Sequence, residues 1–267
     1  MSIPPILLVG CGRMGSAMLA GWREQELSAS VAVDPAPGAA SWTGPDLQIV
    51  PDAAAIPRDF APAAVVFAVK PQNAAETLPV YRNLAGEAVF LSIMAGRTIG
   101  GMRALLGDAA PIVRAMPNTP AAVRQGMTVA CPGPGVNTAQ RELCERLLRA
   151  IGVVAWVEDE ALLDPVTAVS GSGPAYVFLL AELMERAARE QGIPADLARL
   201  LARQTIAGSG ALLATSPEEA DALRIAVTSP GGTTERALAV LMEQDAWPAA
   251  MREAIAAATR RSRELAG

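Results

Sequence analysis

Short runs of consecutive apolar, largely β-branched residues recur through the first half of the chain. They are Ile6–Val9, Val31–Val33, Gln48–Val50, Ala64–Ala68, Ala88–Ile93, Ile112–Ala115, Met127–Ala130 and Val153–Trp156. Their length and composition predict strands. Between several of them, Gly15–Glu24, Asn73–Leu84, Ile99–Leu106 and Ala139–Ala150 carry apolar positions at helical spacing. Strands alternating with helices predict a mostly parallel sheet with helices on both faces. The continuous apolar runs such as Ile6–Val9 and Ala64–Ala68 agree, because such strands are buried on both sides.

Past Glu158 the strand pattern stops. Pro174–Gln191, Ala195–Leu213, Asp221–Val227, Thr234–Gln244 and Trp247–Leu265 predict helices. Gly192 follows the first and Pro194 stands near the start of the second, as stop and start signals do. Ser170–Gly173 precedes the first of these helices, with Ser172 or Gly173 expected as its cap. The expected fold is therefore an α/β, doubly wound domain over residues 1–158 followed by an all-helical domain over 159–267. The helical half is rich in alanine and shows no second core of its own. Its apolar faces are expected to close against another copy of the chain, as a homodimer.

Composition narrows the chemistry. Of 267 residues, 51% are hydrophobic and 18% charged, enough to bury a core. A net charge of -5 argues against a nucleic-acid or anionic-membrane binder. The chain has no histidine, which excludes Ser-His-Asp and Cys-His hydrolases and His-ligated zinc. Cys11, Cys131 and Cys144 are too scattered for a disulfide framework or a metal cluster, so free thiols and no metal are expected. The start lacks a basic, apolar signal pattern. Apolar runs such as Ala63–Val69 fall far short of the ~20 residues of a membrane span. A cytoplasmic protein without a membrane partner is expected.

Gly10-Cys11-Gly12-Arg13-Met14-Gly15 directly follows the first strand and opens a helix. That is the dinucleotide-binding context, in which the first glycine makes a tight turn, the second admits the pyrophosphate and the third lets helix pack on strand. The helix N-terminus supplies partial positive charge. Asp34 ends the second strand, where a carboxylate accepts hydrogen bonds from ribose hydroxyls and repels a 2′-phosphate. NADH is therefore expected to serve at least as well as NADPH. Asp34-Pro35 is equally an ordinary turn pair. Ala68-Val69-Lys70-Pro71, Met94-Ala95-Gly96 and the Asn118 turn all follow strand ends at the ligand-binding edge. The Lys70 and Asn118 turns also read as plain turns.

Five segments carry a resemblance. Gly10–Gly15, Ala68–Gln72, Arg114–Pro120, Ser170–Tyr176 and Val227–Thr234 occur in this order and closely resemble pyrroline-5-carboxylate reductase, over nearly the whole chain. The Ser229-Pro230-Gly231-Gly232-Thr233-Thr234 segment is the most specific part. The resemblance implies a Rossmann domain, a helical dimerisation domain, and NAD(P)H reduction of a cyclic imine to L-proline. Together with the fingerprint and Asp34 readings above, it gives Gly10, Cys11, Gly12, Arg13, Met14, Gly15, Asp34, Ala68, Val69, Lys70, Pro71, Ala95 and Asn118 as the expected cofactor residues. Ser229, Gly232 and Thr233 fall to the substrate carboxylate, Thr234 to the imine nitrogen as the catalytic hydrogen-bonding group, and Glu160 to the substrate. A larger ring of dimers is left open.

The residues themselves agree in part. Ser229–Gly232 can expose several N–H groups beside a helix start, an anion site that needs no Arg or Lys. A threonine N-cap is the plain alternative. Glu160 also reads as part of a solvated acidic linker. Two departures stand out: Asp34 replaces a small or basic residue of many relatives, and Ala226 replaces an asparagine of some. Two other functions compete: a reductase of another imine or keto acid on the same plan, and a non-catalytic nucleotide sensor. β-Hydroxyacid dehydrogenases use a lysine in the first helix of the helical domain, whereas Lys70 is the only lysine here.

Overall fold

The computed structural model describes residues 2–266. The chain divides into two compact units, Met1–Gly171 with Ala258–Gly267, and Ser172–Ala257. The first unit is built on strands β1 (Ile6–Val9), β2 (Ser30–Val33), β3 (Leu47–Val50), β4 (Ala64–Phe67), β5 (Val89–Ser92), β6 (Ile112–Met116), β7 (Gly126–Pro132) and β8 (Gly152–Trp156). They form one sheet in the order β3-β2-β1-β4-β5-β6-β7-β8. Every pair is parallel except β6 with β7. The expected doubly wound, mostly parallel sheet is borne out.

The reversal at β7 has a local cause. Only the short 3-10 turn Thr119–Val123 joins β6 to β7, too little chain for a parallel crossover. The helices of this unit are α1 (Arg13–Glu24), α2 (Ala74–Thr77), α3 (Ile99–Leu106), α4 (Thr138–Arg149) and α5 (Leu163–Val166). Asn73–Leu84 is not the single helix expected. It splits into the 3-10 turn Pro71–Asn73, α2 and the 3-10 segment Leu78–Leu84. Pro79 has no N–H to extend the α-helical ladder and clashes with the preceding turn.

Successive strand residues point to opposite faces, so the core is split in two. Leu8 and Leu91 pack with Met18, Leu19, Trp22 and Leu147 on the face covered by α1 and α4. Leu7, Val9, Phe67 and Phe90 pack with Tyr81 and Met102 on the other. Phe67 stacks on Phe90 at 5.8 Å and meets Tyr81 edge-on at 5.7 Å. The Trp22 indole N–H donates to the Leu147 carbonyl at 2.9 Å, joining α1 to α4. From β1 the chain builds outward to β3, then returns to β4 on the other side. The crevice beyond the carboxyl ends of β1 and β4 is thus the switch point where such sheets bind ligands.

Further helices are α6 (Gly173–Glu190), α7 (Ala195–Thr215), α8 (Ala220–Ala226), α9 (Thr233–Leu241) and α10 (Trp247–Ala266). The expected cap at Ser172 or Gly173 is not there. The chain is already helical from Glu160, passes through a π turn at Thr167–Gly171, and Ser172 has helical angles with no side-chain cap bond. Among the described residues, Glu160–Glu190 is the one helix long and apolar enough to cross a membrane by length and composition. Its glycines, serines and two prolines, Pro165 and Pro174, break the run of apolar residues along that length.

Within Ser172–Ala257 little is buried. Ala198 and Ala202 of α7 are covered, while Phe178 is 67% exposed and Leu200 61%. An open groove of about 700 Å³ runs between α6 and α7, lined by Val177, Phe178, Ala181, Ile206 and Ala207 among others. An apolar surface of this kind marks a protein interface.

Candidate active site

Two of the three fingerprint glycines are fixed by contacts within the chain, and the third faces open space. Gly10 has a φ of +100°, and a methyl group on it would lie 2.8 Å from the Ala68 carbonyl oxygen. The turn after β1 therefore packs directly on the turn after β4. A methyl on Gly15 would lie 2.1 Å from the Gly10 carbonyl oxygen, so α1 starts against that same turn. A methyl on Gly12 would meet nothing within 4 Å. Gly12 is the N-cap of α1 and offers no side-chain cap, so the N-terminal amides of the helix are left to another acceptor. This is the shape a pyrophosphate requires.

Asp34, at the end of β2, turns its carboxylate back to the fingerprint. Its Oδ2 accepts from the Cys11 N–H at 2.6 Å and its Oδ1 from the Ala36 N–H at 2.8 Å. The second bond is the Asx turn that Asp-Pro suggests. Burial, and then the Asp34 charge, push the Cys11 thiol up to about 11. At neutral pH it is a protonated, weakly reactive thiol.

Lys70 is exposed just beyond β4 and heads the 3-10 turn Pro71–Asn73. Ala95 is exposed just beyond β5, beside Gly96 with a φ of +67°. Arg97 joins these two turns: its Nε donates to the Pro71 carbonyl at 2.8 Å. No local pattern announced Arg97, because its partner is set by the sheet order.

Asn118 uses its amide within the fold. Nδ2 donates to the Ser170 carbonyl at 3.1 Å, and Oδ1 accepts from the Met127 N–H at 2.9 Å. It thereby joins β6, the start of β7 and the π turn. Glu160 is no solvated linker residue. Its Oε1 accepts from Arg114 Nη1 and from the Ile99 N–H, both at 2.8 Å. The Arg114 side chain is 5% exposed and that of Glu160 28%. The carboxylate thus neutralises a buried guanidinium and sits at the N-terminus of α3, a favourable place for negative charge. Arg114 was visible in sequence only as part of the Arg114–Pro120 segment.

In the second unit, Ser229–Gly232 connects α8 to α9 as a tight turn. Gly231 has a φ of +72°, and the Gly232 N–H donates to the Ser229 carbonyl at 3.0 Å. The N-cap of α9 is Gly232, without a side-chain cap bond, and Thr233 is the first helical residue. Thr234 therefore lies inside the first turn, and the threonine N-cap alternative falls away. Glu235 reaches back to accept from the Gly231 N–H at 2.9 Å. This closes the turn onto the first turn of α9 without a capping box, because the N-cap Gly232 has no side chain and its own N–H goes to Ser229.

Comparison with known proteins adds the family. Residues 160–265 match the model for pyrroline-5-carboxylate reductase dimerisation. Residues 5–96 match the model for NADP oxidoreductase, coenzyme F420-dependent. The chain is 38% identical to pyrroline-5-carboxylate reductase of Pseudomonas aeruginosa, over 100% of this chain and 98% of that protein. It is 37% identical to the Mycobacterium tuberculosis enzyme, over 97% of this chain and 96% of that one. Among solved structures, a pyrroline-5-carboxylate reductase from Coxiella burnetii superposes with a TM-score of 0.91 at 31% identity, covering 100% of both chains. The Plasmodium falciparum pyrroline carboxylate reductase with NADP bound gives 0.84 at 27% identity, again over 100% of both. The first part is thus a nicotinamide-dependent oxidoreductase domain and the helical part a self-association domain. The chain belongs to the pyrroline-5-carboxylate reductase family.

Proposed function

We propose that this chain performs the family reaction, reduction of 1-pyrroline-5-carboxylate to L-proline, the last step of proline synthesis, with NADH at least as effective as NADPH. The observation that carries the cofactor reading is steric. Gly12 faces open space while Gly10 and Gly15 are locked against neighbouring backbone. A nicotinamide cofactor, when bound, supplies hydride; the protein binds, orients and polarises. We assign Gly10–Gly15, Asp34, Ala68–Pro71 and Ala95 to holding it; Asn118, whose amide is spent on Ser170 and Met127, braces the turn after β6 instead of reaching the cofactor with its side chain. Residues 1–158 form the dinucleotide-binding domain on this reading, and 159–267 the dimerisation and substrate domain.

Ser229, Gly232 and Thr233 are assigned to the substrate carboxylate. The start of α9 supports this, since no side chain of its N-cap Gly232 takes up the first helical amides, which begin at Thr233; the turn itself exposes fewer donors than its glycines suggest, because the Gly231 N–H is held by Glu235 and the Gly232 N–H by the Ser229 carbonyl. The Thr234 hydroxyl, in the first turn of α9, is assigned to the ring nitrogen. Oε1 of Glu160 is committed to Arg114 and Ile99, so Oε2 is the oxygen assigned to the substrate, where it favours the cationic iminium. A substrate that enters as iminium needs no strong acid, which suits a chain without histidine.

The functional unit is a homodimer, and we leave a ring of dimers open. A cytoplasmic enzyme that engages neither nucleic acid nor membrane, and needs no metal, completes the reading. The deciding experiment is a comparison of kcat/KM for NADH and NADPH with pyrroline-5-carboxylate. A strong preference for NADPH would overturn the reading of Asp34.

A further inference from the structure

We propose that the C-terminal end of α10 is a strut for the cofactor edge of the sheet, with Ser262 and Leu265 as positioning residues for the Met94–Gly96 turn. The inference rests on the assignment of Ala95 and the Lys70–Pro71 turn to the cofactor.

The strut has an anchor and a point of contact, both within one compact unit. The anchor is Ser262, a hydroxyl residue only 6% exposed. Its Oγ donates to Asp164 Oδ1 at 2.7 Å. A hydroxyl on an ionised carboxylate is among the stronger hydrogen bonds a protein makes. Asp164 stands on α5 beside Leu163, which is wholly buried in the same core cluster as Met94 and Ile99. The anchor is therefore tied to the core that holds the base of the turn.

The point of contact is Gly96. A methyl group there would lie 3.1 Å from the Leu265 carbonyl oxygen and 3.3 Å from Leu265 Cβ. With its φ of +67°, this position favours glycine for conformation as well as for space. Backbone of α10 thus rests on backbone of the turn. The effect extends one turn further, because Arg97 reaches the Pro71 carbonyl at 2.8 Å. A turn held from below by Met94 and from outside by Leu265 loses little freedom when a ligand binds. Releasing the anchor makes cofactor binding bear that ordering cost, while chemistry in the filled site is unchanged.

The test uses the full-length chain with Ser262→Ala, Asp164→Ala, the milder Asp164→Asn, and Ser262→Thr, which keeps the hydroxyl. Kd for NADH and NADPH is measured by titration, alongside steady-state kinetics and thermal unfolding. The expected result is a rise of roughly 3- to 10-fold in Kd and KM for the cofactor in both alanine variants. kcat and KM for the imine stay unchanged, Asp164→Asn shifts less in the same direction, and Ser262→Thr restores affinity. A lowered melting temperature with unaltered cofactor affinity would reduce the bond to stability alone and overturn the strut. Gly12→Val serves as the control on the underlying assignment. If it too binds cofactor normally, the placement of the cofactor is wrong; if it binds poorly while Ser262→Ala does not, only the strut fails.

Discussion

The Cys11 N–H donates to Asp34 Oδ2 at 2.6 Å, so the glycine loop after β1 and the carboxylate ending β2 are one hydrogen-bonded unit. Two substitutions separate its charge from its bonding. Asp34→Asn keeps an acceptor for Cys11 and removes the negative charge; Asp34→Ser removes the charge and shortens the reach. Both should shift preference toward NADPH, by about tenfold in the ratio of kcat/KM values, roughly 1.4 kcal/mol. Asn should keep the better NADH affinity of the two. Steady-state kinetics with each cofactor checks this; an unchanged ratio in both variants removes Asp34 from cofactor choice.

Gly12 and Gly15 should respond oppositely to alanine. A methyl on Gly15 meets the Gly10 carbonyl at 2.1 Å, and backbone cannot step aside as a side chain can. Gly15→Ala should lower unfolding free energy by about 2–4 kcal/mol. Gly12→Ala, with nothing within 4 Å of the added carbon, should fold normally and bind cofactor more weakly. Denaturant unfolding and cofactor titration on the same samples distinguish the two.

Glu160→Ala should destabilise by about 2 kcal/mol or more, since it strips a buried guanidinium of its carboxylate and Ile99 of its acceptor. Glu160→Gln should lose less. Adding Arg114→Met to Glu160→Ala should recover part of the loss, because the unpaired charge is then gone. Thermal unfolding of the wild type, Glu160→Ala, Arg114→Met and the double variant gives the coupling; strictly additive losses would mean the pair does not act as one.

Phe178 is 67% exposed within one chain, so Phe178→Glu should leave the fold of the single chain intact. Sedimentation should show the dimer shifted to monomer, and activity should fall with it. A fully active monomer at assay concentration would break the link between assembly and turnover.

Much of this architecture is written locally in the chain. The strands and most helices follow from runs and spacings, because burial on both faces of a parallel sheet leaves an apolar signature. The direction of β7 was not legible, since it depends on the length of the Thr119–Val123 connection. The fingerprint glycines were legible from their spacing after β1, and at Gly10 and Gly15 a turn and a packing contact exclude a side chain. The Arg114–Glu160 pair, the inward-turned amide of Asn118 and the Arg97 bridge were not. Each joins residues far apart in sequence, and only the strand order brings them together. The helix from Glu160 was missed because three acidic positions resemble a linker until one of them finds a buried arginine.

The most direct measurement follows NADH consumption and L-proline formation together, with pyrroline-5-carboxylate as substrate, in the wild type and in Thr234→Ala. The wild type should form one L-proline per NADH oxidised. Thr234→Ala should lose about 10- to 150-fold in kcat/KM for the imine, the worth of one hydrogen bond to a charged or polarised group, with NADH affinity nearly unchanged. No L-proline from the wild type, or a Thr234→Ala variant that loses cofactor affinity as much as imine turnover, would contradict the account.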